Sequence, residues 1–336
     1  MKKLIPIFLI LLTLTLCACS STTYSEGFYA MNTYMSVTVN CPESKKVVKD
    51  AKNTIMDLDK TLSAFNKNSD IYKLNKNRSA DISVETADLL KDAVNYNKLT
   101  NGAFNPALLQ VTKLWGFPDN KYRIPSKKEI NEALKTAVPD KIEINGYKVS
   151  LNQEGEEVDL GGIAKGYASQ KLTDNFKNMG VESALINLGG NVQTIGTKED
   201  GNPWLVAIKH PEPGKQYLGQ LKVKDLAVVS SGAYERNFRK NGKTYGHIIN
   251  PETGYPAESG LLSTTVIYKD AVFADAMSTA LYVMGEKDAL KFWADSKKNF
   301  DIILYNNKGE LIVSEGIAEN FTADIKYKVV KKSDYE

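Results

Sequence analysis

"LLSTTVIYKDAVFADAMSTALYVMG" (residues 261–285) passes from a β-branched run, the composition of a strand, into an apolar helix. The same two element types recur on either side without a fixed rhythm. "YMSVTVN" (34–40) sets Met35, Val37 and Val39 against polar neighbours, the period of a half-buried strand. From Glu43 onward Val48, Ala51, Ile55, Leu58 and Leu62 recur at three- and four-residue spacing, which predicts an amphipathic helix. A second helix is predicted from Val84 to Lys98, stopped at Asn101-Gly102. Ser126 and Glu129 stand in capping-box register at the head of another. "DKIEINGYKVSLN" is a hairpin turning at Asn145-Gly146. A strand and helix are expected over 156–179, strands near 183–188 and 204–209, and further strands beside "GHIINPETGYPAES" (246–259). The chain closes with a hairpin on "YNNKGELIV". With no regular βαβ alternation, the expected class is α+β, a largely antiparallel sheet core with flanking helices. No repeat or low-complexity linker divides residues 28–336, so they form a single compact unit.

The ends and composition narrow the setting. "MKKLIPIFLILLTLTLCACSS" combines two lysines, a short apolar run and a small residue before a cysteine, which predicts an export signal over 1–18. Leu16-Cys17-Ala18-Cys19 has the form of a bacterial lipobox, with Cys19 the acylated first residue of the mature protein and 19–27 a polar tether. The expected location is the cell membrane, lipid-anchored and facing outside the cytoplasm. Only Cys41 then remains as a free thiol, so stability rests on a core and not on disulfides. The formal net charge of +3 falls to +1 without Lys2 and Lys3, and no basic stripe interleaves with aromatics; nucleic acid is not an expected partner.

Several segments carry more polar and glycine residues than a passive core requires. "VDLGGIAKGYASQKL" (158–172) places Asp159, Gly161, Gly162 and Lys165 at the opening of a helix, where backbone N–H groups suit an anion. It is neither a P-loop nor a dinucleotide fingerprint, and a tight strand–helix turn explains it equally well. "INLGGNVQTIG" (186–196) suits close backbone approach or a bulge. Aromatic and methionine side chains in polar segments, Met31, Phe65 and Phe104 among them, suit a planar ring or ordinary packing. On the helix of "FADAMSTAL" (273–281), Asp275, Ser278 and Thr279 share one face. Hard oxygens so placed fit Mg²⁺, whose shell substrate phosphates complete; the alternative is a helix cap. Zinc is disfavoured by two distant histidines and one free cysteine.

Taken together, "MNTYMSV", "LSAFNKNSDIYKLN", "NGAFNPAL", "VDLGGIAKGYA", "NLGGN", "HIINPETGYP" and "ADAMSTAL" resemble, in order, the ApbE-type FAD:protein FMN transferases, from about Tyr29 to Ile312. The resemblance implies FAD as the bound substrate, contacted at Met31, Phe65, Ala103, Phe104, Asn105, Asp159, Lys165 and Ile248. It also implies Mg²⁺ held by Asp275, Ser278 and Thr279 with the backbone of Gly162. The sequence departs from the family at Phe65, often Tyr, at Asn105, often Asp, and at Ser278, which can be Asp. A neutral Ser278 leaves fewer negative charges around the ion.

The implied reaction moves FMN from FAD to a Ser or Thr hydroxyl of an exported or membrane-bound protein, leaving AMP. That hydroxyl needs a base. His247 is the candidate; His210, in "IKHPEPG", is expected at a loop surface. An unperturbed ring would give an acid limb near ~6.5. Two other functions fit the same residues: a Mg²⁺-dependent FAD pyrophosphatase, and a non-catalytic lipid-anchored flavin-binding protein.

Overall fold

The computed structural model describes residues 21–335, and the expected signal peptide and the lipidation residue Cys19 lie outside them. Strand β1 (Thr22–Ala30) pairs antiparallel with β2 (Thr33–Cys41) across a two-residue turn at Met31 and Asn32. The polar stretch expected as a tether over 19–27 is thus corrected from Thr22 on. Tyr24, Glu26, Phe28 and Ala30 alternate inward along β1, so the segment can lay one face on the core while its backbone pairs with β2. Helix α1 (Ser44–Leu62) buries Val48, Ala51, Ile55, Leu58 and Leu62, the five positions of its apolar period. Helix α2 (Asp70–Asn77) and the short β3 (Ser79–Asp81) follow, then α3 (Val84–Leu99), which ends before Asn101 and Gly102 in left-handed backbone.

Helices α4 (Leu109–Trp115) and α5 (Lys127–Leu134) are short; α5 starts on the predicted Ser126/Glu129 capping box. The Asn145-Gly146 hairpin joins β4 (Ile142–Asn145) to β5 (Lys148–Leu151), and β3 completes that small sheet. No strand forms over 156–160, a second correction. The Asn75 amide accepts from Val158 N–H and donates to Val158 C=O, both at 2.8 Å, and so occupies the groups a ladder would use. Helix α6 (Ala164–Asn178) then leads into β6 (Ser183–Leu188), β7 (Asn191–Gly196), β8 (Trp204–Lys209), β9 (Tyr217–Val223) and β10 (Ala227–Ser231). A hairpin of β11 (Asn237–Lys240) and β12 (Lys243–Gly246) precedes the His247 turn. The strand and helix that opened the sequence reading are β13 (Leu261–Tyr268) and α7 (Ala271–Met284). The rest is α8 (Glu286–Asp295), β14 (Asp301–Asn306), β15 (Leu311–Ser314), β16 (Phe321–Thr322) and β17 (Tyr327–Val330).

The nine-stranded sheet runs β1-β2-β6-β7-β10-β13-β14-β15-β17 and is antiparallel throughout except for β15 with β17. Period-two alternation sends its side chains into two cores. Val37, Ile186, Val229, Val266 and Leu304 face the helices α1, α6 and α7. Val192, Val228, Ile267 and Ile303 face the β16-β9-β8 sheet on the other side. A third, aromatic core of Trp115, Phe117 and Phe238 fastens the β11–β12 hairpin to α4 and α5. This α+β arrangement brings the hairpin, the α6 N-terminus and α7 to one cleft.

Candidate active site

The cleft holds about 550 Å³ and is walled by segments far apart in sequence. Met31 reaches it from the β1–β2 turn. Both Met31 and Asn32 have positive φ, 46° and 60°, as a two-residue turn between right-twisted strands demands. Asp59 of α1 helps hold this unfavourable backbone by accepting the Met31 N–H at 3.0 Å. Phe65, just past α1, lines the rim with half its surface exposed (51%). Ala103, Phe104 and Asn105 line the cleft beyond α3; the Thr100 hydroxyl accepts from Phe104 N–H, and the Asn97 amide donates to Phe104 C=O. Asn105 spends its amide on Ala107 N–H and Ala137 C=O, which shapes the loop more than it presents a free group.

Asp159, Gly162 and Lys165 come in together at the α6 N-terminus. Burial pushes the Asp159 carboxyl up, an effect eased by the Gly161 N–H bond (3.0 Å) and the Arg236 charge. One turn amide expected for an anion is therefore already taken. At Gly162 a Cβ would sit 3.0 Å from the Phe104 ring, so glycine lets the α6 N-terminus and the loop beyond α3 meet. At Gly166 a Cβ would lie 2.3 Å from the Ala271 carbonyl oxygen, where α6 crosses α7. That crossing lets Gly166 N–H donate to Asp275 Oδ2 at 2.7 Å.

Asp275 is only 4% exposed. Burial pushes its carboxyl up to about 6, against the opposing pull of Lys165 and of Gly166 N–H. The Asn191 amide nitrogen also lies close enough to pull it down, yet stands outside hydrogen-bond geometry and has no partner in the structure. A buried carboxylate with one backbone hydrogen bond and no salt bridge fits a cation. Thr279, one turn on, lines the same wall. Ser278 does not: it is fully buried behind the wall, its hydroxyl bonded to Asp275 C=O (2.9 Å) and to Ser231 Oγ (2.8 Å). Ser231, at the end of β10, is the hydroxyl that reaches the cleft beside Thr279, at 3.3 Å from its Oγ1. Among the described residues no three His, Cys, Asp or Glu side chains form a metal cage. The oxygens present suit an ion that takes one carboxylate from the protein and completes its shell with phosphate.

His247 and Ile248 leave β12 along the opposite wall. His247 N–H and Nδ1 both meet the Arg236 carbonyl oxygen, at 3.0 and 3.1 Å. A carbonyl only accepts, so Nδ1 carries the proton and Nε2 is left unprotonated. Burial, together with the Lys165 and Arg236 charges, outweighs that bond and pushes the ring down to about 4. The acid limb expected near ~6.5 is corrected accordingly. His210 is corrected too: it is 5% exposed, packed edge-on against Tyr305, and far from a loop-surface role.

Arg236 and Ser231 line the cleft outside the motifs above; the one sequence signal of Ser231 is Ser230-Ser231-Gly232 closing an apolar run, which any strand end produces, and Arg236 has none.

A match to the ApbE family spans residues 31–304. The FAD:protein FMN transferase of Haemophilus influenzae is 28% identical over 342 residues, covering 96% of this chain and 99% of that protein. That of Klebsiella pneumoniae is 34% identical over 247 residues, covering 72% and 76%. Among solved structures, the ApbE protein of Thermotoga maritima superposes with a TM-score of 0.83 at 32% identity, covering 88% of this chain and 98% of that one. The Pseudomonas stutzeri flavinyl transferase ApbE, in its apo form, gives 0.81 at 25% identity, covering 91% and 98%.

Proposed function

The chain belongs to the ApbE family, and from that membership we propose that it is a Mg²⁺-dependent FAD:protein FMN transferase acting on a Ser or Thr hydroxyl of exported proteins. The observation that carries this reading is the convergence in one cleft of the buried Asp275, Lys165, His247 and the apolar Met31, Phe65 and Phe104.

Asp275 and Thr279, with the backbone of Gly162, would hold the divalent ion. When bound, that ion offsets charge on the pyrophosphate as its bond to AMP breaks. Lys165 and the positive end of α6 face the same charge. Phe65 and Met31 offer polarisable surface to the flavin ring. His247 Nε2 takes the proton as the acceptor oxygen attacks the FMN-side phosphorus; the P–O–P bridge breaks and AMP leaves. The product is a phosphoester-linked flavin.

The test mixes the purified protein with FAD, Mg²⁺ and candidate exported proteins, followed by denaturing electrophoresis. Flavin fluorescence surviving on the acceptor band, with AMP formed in equal amount, is the expected result. FMN and AMP released with no labelled protein would make water the acceptor and overturn the transferase reading. The lipobox supports attachment at Cys19 and a membrane location outside the cytoplasm. Cys19→Ser should move the protein to the soluble fraction; a variant still on membranes would sink that assignment.

A further inference from the structure

Arg236 takes no part in the chemistry above, yet it touches His247 and faces the cleft. It sits just before β11, where Asn237 pairs with Gly246 across the hairpin, so it stands opposite His247. Its carbonyl receives both His247 bonds. Arg236 as a residue is half-buried and lines the cleft, and its guanidinium makes one long, exposed bond, Nη2 to Asn120 Oδ1 at 3.4 Å. That leaves most of its five donors unmatched.

A guanidinium in a cleft wall is ordinarily met by a carboxylate. Among the described residues Arg236 has none in salt-bridge range; the ion-paired arginine is Arg123, with Glu129. The adjacent Glu235 is committed to Lys209 at 3.2 Å. A planar fork left open in a cleft matches the paired oxygens of a phosphate. We propose that Arg236 is a binding residue for a phosphoryl group of the dinucleotide, and that its backbone carbonyl fixes the His247 tautomer while its charge stands beside the ring. The proposal rests on FAD being the substrate of this cleft. The charged groups around His247 are Arg236 on its own hairpin and Lys165 on α6; Phe117, the ring packed edge-on against it, is uncharged. Removing the Arg236 charge should therefore let the imidazole protonate at higher pH.

FAD binding by flavin fluorescence, with Mg²⁺ present, and the pH profile of AMP release test this on the whole protein. Arg236→Met should weaken FAD binding about tenfold or more and move the acid limb upward. Arg236→Lys, which keeps charge without the fork, should recover part of the affinity and leave the limb in place. Arg236→Gln replaces the methionine variant if that one does not fold. Wild-type affinity and an unmoved limb in the uncharged variants would overturn the proposal, as would a lysine variant as impaired as methionine. If the wild-type protein itself does not bind FAD, the functional reading fails first and the proposal goes with it.

Discussion

Asp275→Asn should abolish flavin transfer and, at the same time, raise the stability of the metal-free protein at neutral pH. Both effects come from one buried carboxylate. Its folded-state pKa is pushed up to about 6, from 3.8. The stability it contributes is therefore full below the unfolded value and is lost as pH rises through 6. By linkage the loss at pH 7.5 is about 3 kcal/mol. Asparagine keeps an acceptor for Gly166 N–H and removes the uncompensated charge. Calorimetry in chelator should show the variant melting above wild type at pH 7.5, with the gap closing near pH 4. FAD with Mg²⁺ should raise the wild-type melting temperature and leave the variant unmoved. Active, chelator-insensitive Asp275→Asn protein would sink the metal assignment. A variant less stable at pH 7.5 would show that the carboxylate is already compensated within the fold.

His247→Ala should bind FAD and lose transfer by roughly a hundred- to ten-thousand-fold, the usual cost of an acid–base group. His247→Asn should be about as impaired, because an amide can hold a hydrogen bond to Arg236 C=O and still accept no proton. With Mg²⁺ saturating, so that the Asp275 carboxylate stays ionised, the wild-type rate should stay level as pH falls through 6.5 and decline only toward about 4, since the imidazole is already neutral above that. A limb near 6.5, or a near-normal asparagine variant, would assign the base elsewhere, with Asp159 next in line. His210→Ala should alter stability more than rate, because that ring is packed against Tyr305.

Local patterns were legible wherever one residue period or one turn decided the outcome. The apolar period of α1, the alternation of β2, the Ser126 capping box and the Asn145-Gly146 hairpin depend on neighbours a few residues away. The carboxylate of Asp275 beside Thr279 was legible for the same reason, since a helix sets i and i+4 together by its own geometry. Strands such as β9 and β10 were missed; the alternating pattern of a half-buried surface strand weakens where both faces are covered, as Val228 and Val229 of β10 face different cores. The strand expected over 156–160 failed because Asn75, more than eighty positions earlier, holds the backbone of Val158.

Burial and long-range partnership were decided by the tertiary structure alone. Ser278 shares a helix face with Asp275 in sequence, yet the return of β10 sets Ser231 between it and the cleft. The low basicity of His247 follows first from its burial and then from Lys165 on another element, against the pull of a carbonyl across a hairpin. Arg236 carries no motif of its own; its significance comes from standing opposite His247 with no carboxylate in salt-bridge range, Asp159 feeling its charge from farther off. Residue type and spacing determine which groups a segment can offer. Whether a group is desolvated, paired or free depends on what the rest of the chain packs against it, because the cost of burying charge is set by the surrounding medium and partners.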